Sequence, residues 1–195
     1  MALLTREESM LLVIDIQDNF YPKTRDDVDR DAYSAFVDRA AWLVAAATAL
    51  SVPVVVTEEQ AEANGPTEPR VRQYLNEATP ILRKDFFAAS DNPHIRQAID
   101  ATGRSTVVVL GLETDVCVAH SALQLASLGK RVVAASDCLF SPGEAHAQGL
   151  RRMELADVEL LSAKGVFYDW IRGVASLDHF CSTHPQLSRP PGFHL

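Results

Sequence analysis

Three residues of this sequence carry side chains that together supply a base, a positive charge and a nucleophile. Asp15 closes the apolar run 9–14, Lys84 follows the short run 80–83, and Cys117 opens a helical pattern. The thiolate is the reactive form of cysteine, and a helix N-terminus or a nearby cation lowers the pKa of a thiol. A carboxylate can accept the thiol proton, and N–H groups at the turn before Cys117 can hold an oxyanion. These residues are therefore candidate catalytic residues, but each type also occurs at such positions as a cap, a solvated charge or a small buried side chain.

The elements that must position these side chains alternate between strands and helices. Strand patterns cover residues 9–15, 52–57, 80–83, 106–110, 131–135 and 158–161, and helical patterns cover residues 31–50, 93–102, 116–128, 144–155 and 166–177. This alternation predicts a parallel sheet with helices on both faces. We therefore predict an α/β fold: a single three-layer αβα domain with a doubly wound, mostly parallel sheet of about six strands in Rossmann-like order. Ligands of such folds bind beyond the carboxyl ends of the strands, where the three candidates fall.

Composition and charge narrow the classes of function. The chain has 195 residues, of which 47% are hydrophobic and 23% charged, as in ordinary globular domains. A formal charge of −8 disfavours nucleic acid as a partner, and no apolar run is long enough to span a membrane. The cysteines Cys117, Cys138 and Cys181 form no CxxC pair, and no targeting segment is visible. We expect a cytoplasmic protein in which Cys138 and Cys181 are structural thiols.

Common motifs of other α/β enzymes are missing. The sequence has no GxGxxG fingerprint, no GxxxxGK[ST] loop, no GxSxG elbow and no HExxH pair. A nucleotide or flavin binder is therefore disfavoured. None of the histidines forms a pair at metal-ligand spacing, and His120, one turn after Cys117, is interpreted as a supporting residue or a substrate contact.

Three segments carry a resemblance to a known family. The segments are LLVIDIQDNF (11–20), RKDFFAAS (83–90) and GLETDVCVAHSALQL (111–125). In this order and spacing they resemble the isochorismatase-like cysteine hydrolases, and the similarity extends from about residue 8 to 178. The resemblance implies that Asp15 is the general base, Lys84 the catalytic lysine and Cys117 the nucleophile. It also implies a cis peptide between Leu112 and Glu113, which would turn the N–H groups of Glu113 and Cys117 toward one oxyanion.

Two departures from the family's patterns limit the substrate. Segment 57–69 contains no histidine, so the metal site of the nicotinamidase branch is not expected. Cys117 argues against isochorismate, because hydrolysis of a vinyl ether needs no thiol nucleophile. The prediction is a hydrolase without metal or cofactor that cleaves a small C–N bond, such as an amide or ureido group, through a covalent thioester-type intermediate. The alternative is a catalytically silent binding or scaffold protein with the same fold.

The sequence also predicts pocket residues and a C-terminal tail. The candidate pocket residues, of which the phenylalanines are equally compatible with plain core, are Phe20, Phe86, Phe87, Glu113 and His120. Glu113 either contacts a substrate amine or faces solvent. We divide the chain into a hydrolase domain (1–181) and a Pro-rich tail (182–195), which is expected to be extended, disordered or an arm on a neighbouring subunit. The resemblance also implies a homo-oligomer that acts on a small molecule.

Overall fold

A six-stranded sheet forms the centre of the computed structural model, which describes residues 2–195. The strands are β1 (Ser9–Ile14), β2 (Val54–Glu59), β3 (Ile81–Lys84), β4 (Thr106–Leu112), β5 (Arg131–Phe140) and β6 (Glu159–Leu161). Their order is β3-β2-β1-β4-β5-β6, and every pairing is parallel. This is the doubly wound 3-2-1-4-5-6 order, and it confirms the predicted fold class.

Helices cover both faces of the sheet. They are α1 (Arg30–Ala49), α2 (Ala61–Asn64), α3 (Pro69–Arg72), α4 (Pro93–Ala101), α5 (Ala119–Ser127), α6 (Glu144–Glu154), α7 (Ala163–Ile171) and α8 (Val174–Thr183). One layer holds α1 and α7, which contact each other and β5. The opposite layer holds α4 against β2 and β3, and α5 and α6 against β5. Strands β1 and β4 are buried along their whole length, as expected for central parallel strands.

The carboxyl ends of β1 and β4 approach each other closely at the point where the strand order reverses. Gly111 has φ +130°, and a Cβ there would collide with the carbonyl oxygen of Ile14. Asp15, the next residue after Ile14, also has a positive φ, of 53°. A non-glycine residue in the left-handed region is uncommon, and such residues cluster at functional sites. The backbone therefore turns sharply on both strands beside this crevice.

Several elements differ from the sequence prediction. Strand β2 continues to Glu59 rather than ending at residue 57, and β5 continues to Phe140. Cys117 lies in a π-helical turn, Thr114–Val118, that precedes α5. The single helix predicted for 166–177 is two helices, α7 and α8, because Arg172 adopts φ +67° between them. The 3.6-residue spacing of apolar side chains does not reveal such a break in the helix.

Residues 182–195 pack on their own chain. Helix α8 continues to Thr183, so the predicted boundary after residue 181 falls inside a helix. Leu187 is buried and its carbonyl accepts a hydrogen bond from Nε1 of Trp42 at 2.9 Å. The ring of Phe193 lies 5.0 Å from that of Trp42. Apolar residues among the prolines therefore anchor this segment on α1 of the same chain, and the division of the chain at residue 181 stays a prediction.

No helix between residues 2 and 195 combines the length and the apolar character that a membrane crossing requires.

Candidate active site

The ammonium group of Lys84 stands at the centre of the site. Its side chain is fully buried at the end of β3. Nζ lies 3.0 Å from Oδ2 of Asp15 and 3.4 Å from Sγ of Cys117, and it donates to the carbonyl oxygen of Phe86 at 3.2 Å. The carboxyl edge of the sheet therefore brings together the three residues singled out in the sequence. A buried cation is retained only with partners of this kind.

Asp15 is a buried carboxylate with one hydrogen-bonded oxygen and one ion-paired oxygen. Oδ1 accepts a hydrogen bond from the hydroxyl of Thr57 at 2.7 Å, and Oδ2 faces Lys84. Burial raises the pKa of Asp15 from 3.8 to about 6, against the lowering effects of Lys84 and Thr57. At neutral pH most molecules hold an ionised Asp15, which can accept a proton.

The surroundings of Cys117 favour the protonated form of its thiol. Burial raises its pKa above the ordinary value, and the carboxylates of Asp15 and Glu59 add to this, while Lys84 lowers it. The expectation that the helix start and the lysine would lower this pKa is wrong, because desolvation and two negative charges outweigh one cation. An attack by this sulfur would therefore need a base to remove the proton.

Glu59 is a site residue that the sequence analysis missed. Its Oε2 lies 3.7 Å from Sγ of Cys117, which donates to it, and 3.8 Å from Nζ of Lys84. The signal was available in the alternation of a strand: residues two apart share a face, so Glu59 follows Thr57 toward the site. The apolar run itself ends at residue 57, which predicts a loop at Glu59.

Gln17 holds the backbone of Glu59 in place. Its side-chain amide donates to the carbonyl of Glu59 at 3.0 Å and accepts from the N–H of Glu59 at 2.9 Å. It also donates to the carbonyl of Gly65 at 2.6 Å. The buried Gln17, from the first family-like segment, therefore ties the end of β2 and the following loop to the residues after β1.

The loop after Lys84 is shaped by Asn92. Its buried side chain accepts from the N–H groups of Asp85 and Phe86 and donates to the carbonyl of Phe86. These hydrogen bonds fix the position of the Phe86 carbonyl, which accepts a hydrogen bond from Lys84. Ser121 links the same loop to α5, since its hydroxyl accepts from the N–H of Ala89 and donates to the carbonyl of Cys117.

The turn before Cys117 differs from the prediction. Every peptide bond described between residues 2 and 195 is trans, so the predicted cis bond between Leu112 and Glu113 is wrong. A trans bond is favoured by about 3–4 kcal/mol, and here Gly111 and the π-helical turn reverse the chain. The carbonyl of Glu113 accepts from the N–H groups of Val116 and Val118, on either side of Cys117. The oxyanion role of the Glu113 and Cys117 N–H groups remains a prediction.

The predicted pocket residues differ from one another in their contacts and exposure. Glu113 accepts a hydrogen bond from the hydroxyl of Tyr21 at 2.9 Å, and Phe20 packs edge-on against the same tyrosine. Phe86 and Phe87 are 57% and 54% exposed, so neither is core in the single chain. The ring of Phe87 lies 5.9 Å from Nζ of Lys84 and 6.1 Å from the ring of His120. Phe87 and His120 therefore lie beside the catalytic candidates.

Donor atoms of Asp15, Glu59 and Cys117 lie within 4.8 Å of one another. Such a group can hold a metal ion, but the ammonium of Lys84 lies 3.0 to 3.8 Å from all three residues. A covalently attached cation therefore occupies the position that a metal would take.

Comparison with known proteins agrees with this architecture. The family model described as the isochorismatase domain matches residues 9–164. The rat isochorismatase domain-containing protein 2 is 29% identical over 183 residues, covering 93% of this chain and 78% of the relative. The structure of Escherichia coli YcaC, an octameric hydrolase of unknown specificity, is 26% identical with a TM-score of 0.81, and the match covers 96% of this chain and 93% of that one.

The fold is also shared with more distant proteins. The MAR1 ribonuclease of Caenorhabditis elegans is 23% identical with a TM-score of 0.83, and the match covers 100% of this chain and 98% of that one. At this identity the likeness concerns the fold alone. The family model, by contrast, covers most of the chain, including the crevice that holds Asp15, Lys84 and Cys117. This chain therefore belongs to the isochorismatase-like hydrolase family.

Proposed function

We propose that this protein hydrolyses a C–N bond of a small molecule, such as an amide or ureido group, with Cys117 as the nucleophile. One observation carries the proposal: a buried ammonium lies 3.0 Å from a buried carboxylate and 3.4 Å from a thiol sulfur, at the carboxyl edge of a doubly wound sheet. These are the parts that covalent catalysis by a thiol requires.

In the proposed reaction Sγ of Cys117 forms a bond to the substrate's carbonyl carbon while Asp15 takes the thiol proton. The C–N bond then breaks, and the leaving nitrogen receives that proton, so that an acyl thioester and a free amine remain. Water attacks the thioester and gives a proton to Asp15. The C–S bond breaks, the acid leaves and Cys117 regains its proton. The sum is amide plus water to acid plus amine.

The charges of the site support these roles. Burial alone would lower the pKa of Lys84, but the carboxylates of Asp15 and Glu59 raise it above its ordinary value, so the side chain stays cationic. A permanent cation beside Sγ stabilises the thiolate as it forms. Asp15, with a pKa of about 6, is a base near neutral pH and an acid strong enough to return its proton.

A screen of small primary amides and ureido compounds tests the proposal. With any substrate found, Cys117→Ser is expected to reduce turnover at least a thousandfold in a protein that stays folded, because the hydroxyl is a much weaker nucleophile. Cys181→Ser, a matched change at a half-buried thiol outside the site, should leave turnover unchanged. Intact mass spectrometry should show the acyl group on Cys117. Turnover by Cys117→Ser close to the wild-type rate would reject the assignment, and an inert Cys117 would favour a binding or scaffold role.

We also propose that the chain forms a homo-oligomer, as the octameric YcaC does. Support comes from Phe86 and Phe87, two adjacent aromatic side chains that are each more than half exposed beside the site. Exposed aromatic pairs of this kind are typical of interfaces between subunits.

A further inference from the structure

The carboxylate of Glu59 has unused hydrogen-bonding capacity. Between residues 2 and 195, the polar partners of its side chain are the thiol of Cys117 at 3.7 Å and the ammonium of Lys84 at 3.8 Å, both at Oε2. An ionised carboxylate offers about four acceptor positions. Asp15 differs, since Oδ1 accepts a hydrogen bond at 2.7 Å and Oδ2 forms an ion pair with Lys84 at 3.0 Å. Glu59 therefore has acceptor positions to offer a bound molecule.

Glu59 is also partly open to the outside. Its side chain is 18% exposed, whereas those of Asp15 and Lys84 are fully buried. The neighbouring Glu58 points elsewhere, because its carboxylate accepts from the N–H and hydroxyl of Thr67 at 2.6 Å. Of the two glutamates at the end of β2, Glu59 is therefore the one that a molecule approaching Cys117 contacts.

Carboxylates outnumber ammonium groups around the sulfur of Cys117. Asp15 and Glu59 both face the ammonium of Lys84. A carbon under attack by Sγ lies within a few ångströms of Oε2 of Glu59. A carboxylate on that carbon's neighbour would meet Glu59 at short range and be repelled, while an N–H donor there would find an acceptor.

We propose that Glu59 selects the substrate by charge: it binds an N–H-bearing neutral or cationic group next to the scissile carbon and rejects substrates with a carboxylate there. The substrate class is then a small unsubstituted amide, ureido or amidine-like compound without an adjacent acid group. This inference rests on the proposed function, since it assumes attack by Cys117.

Two alkylating reagents of nearly equal shape test the selection without a known substrate. Iodoacetamide is neutral and bears an N–H₂ group, whereas iodoacetate carries a carboxylate at the same position. Mass spectrometry of digested protein gives the rate constant at Cys117 for each reagent, with Cys181 as an internal reference. Both rate constants are proportional to the fraction of Cys117 present as thiolate, so this fraction cancels in their ratio. A change in the pKa of Cys117 therefore does not affect the ratio.

We expect Glu59→Gln to lower the iodoacetamide-to-iodoacetate ratio at Cys117 at least fivefold, mainly by speeding up iodoacetate. The substitution keeps the size of the side chain and the backbone bonds to Gln17, so the fold should persist. Glu62→Gln removes the same charge from an exposed side chain paired with Arg83, and its ratio should equal that of the wild type.

A ratio within twofold of the wild type in Glu59→Gln would overturn the inference. So would a wild-type iodoacetamide-to-iodoacetate ratio at Cys117 no higher than that at Cys181, because Glu59 would then not repel an adjacent carboxylate. The proposed hydrolysis fails separately: if the ratio shifts but no amide is turned over, charge selection stands without the reaction. If Cys117→Ser abolishes turnover but the ratio does not move, the reaction stands without the role of Glu59.

Discussion

Replacing Lys84 by methionine tests whether this ammonium keeps Asp15 ionised. At 3.0 Å between Nζ and Oδ2, and with an effective dielectric constant of about 20, the attraction is worth about 5 kcal/mol. Relaxation and entry of water would remove about half of this. One pKa unit corresponds to about 1.4 kcal/mol. We therefore expect the pKa of Asp15 to rise from about 6 to about 8 or above.

The consequence for stability has a definite sign. A folded-state pKa above the unfolded value of 3.8 means that the folded protein holds the proton more tightly. Stability is then lost as pH rises from the unfolded pKa to the folded pKa. For the wild type this loss is nearly complete at pH 6. For Lys84→Met it should continue between pH 6 and pH 8 and amount to about 2–3 kcal/mol.

The measurement is urea unfolding followed by circular dichroism at pH 6 and pH 8. Between pH 6 and pH 8, the titration of Asp15 should change the free energy of unfolding of the wild type only a little. The free energy of unfolding of Lys84→Met should fall by about 2–3 kcal/mol over the same range. Lys130→Met, the same substitution at a lysine that pairs with the exposed Asp100, should follow the wild type. At pH 7 about one-tenth of Asp15 would be ionised in Lys84→Met, compared with about nine-tenths in the wild type, and any hydrolysis should fall at least a hundredfold. Parallel stability profiles for Lys84→Met and the wild type would refute the reasoning.

Two further predictions concern the hydroxyl group of Thr57 and the oligomeric state of the chain. Thr57→Val removes the 2.7 Å hydrogen bond to Asp15, and a bond to a charged group is worth about 1.5–3 kcal/mol. The acid limb of the pH–rate profile, expected near pH 6 in the wild type, should therefore move about one to two pH units higher, and an unmoved limb would contradict this account of Asp15. Sedimentation should give a mass at least twice the 21.4 kDa of one chain, and Phe86→Ser with Phe87→Ser should reduce it, whereas a monomeric wild type would contradict the proposed homo-oligomer.

Local patterns in the chain were sufficient to predict the fold. Each central strand is a short apolar run and each helix has a 3.6-residue period, so the alternation of elements and the parallel sheet follow without tertiary information. The strand-end rule then brought Asp15, Lys84 and Cys117 to one edge, and the three motifs indicated the family. These features can be predicted from the sequence because periodicity and residue type depend on only a few neighbouring residues.

Contacts between distant segments decided the rest. Strand β2 reaches Glu59 because its end pairs with β3, with Glu59 opposite Lys84, and because Gln17, 42 residues earlier, holds its backbone. No local pattern in the sequence predicts these contacts. The pKa of Cys117 is raised rather than lowered because burial and two carboxylates from other strands outweigh Lys84. The peptide before Glu113 is trans, and the tail folds back onto Trp42. Burial, charge balance and backbone turns at the site depend on what the rest of the chain places there, so only the tertiary structure determines them.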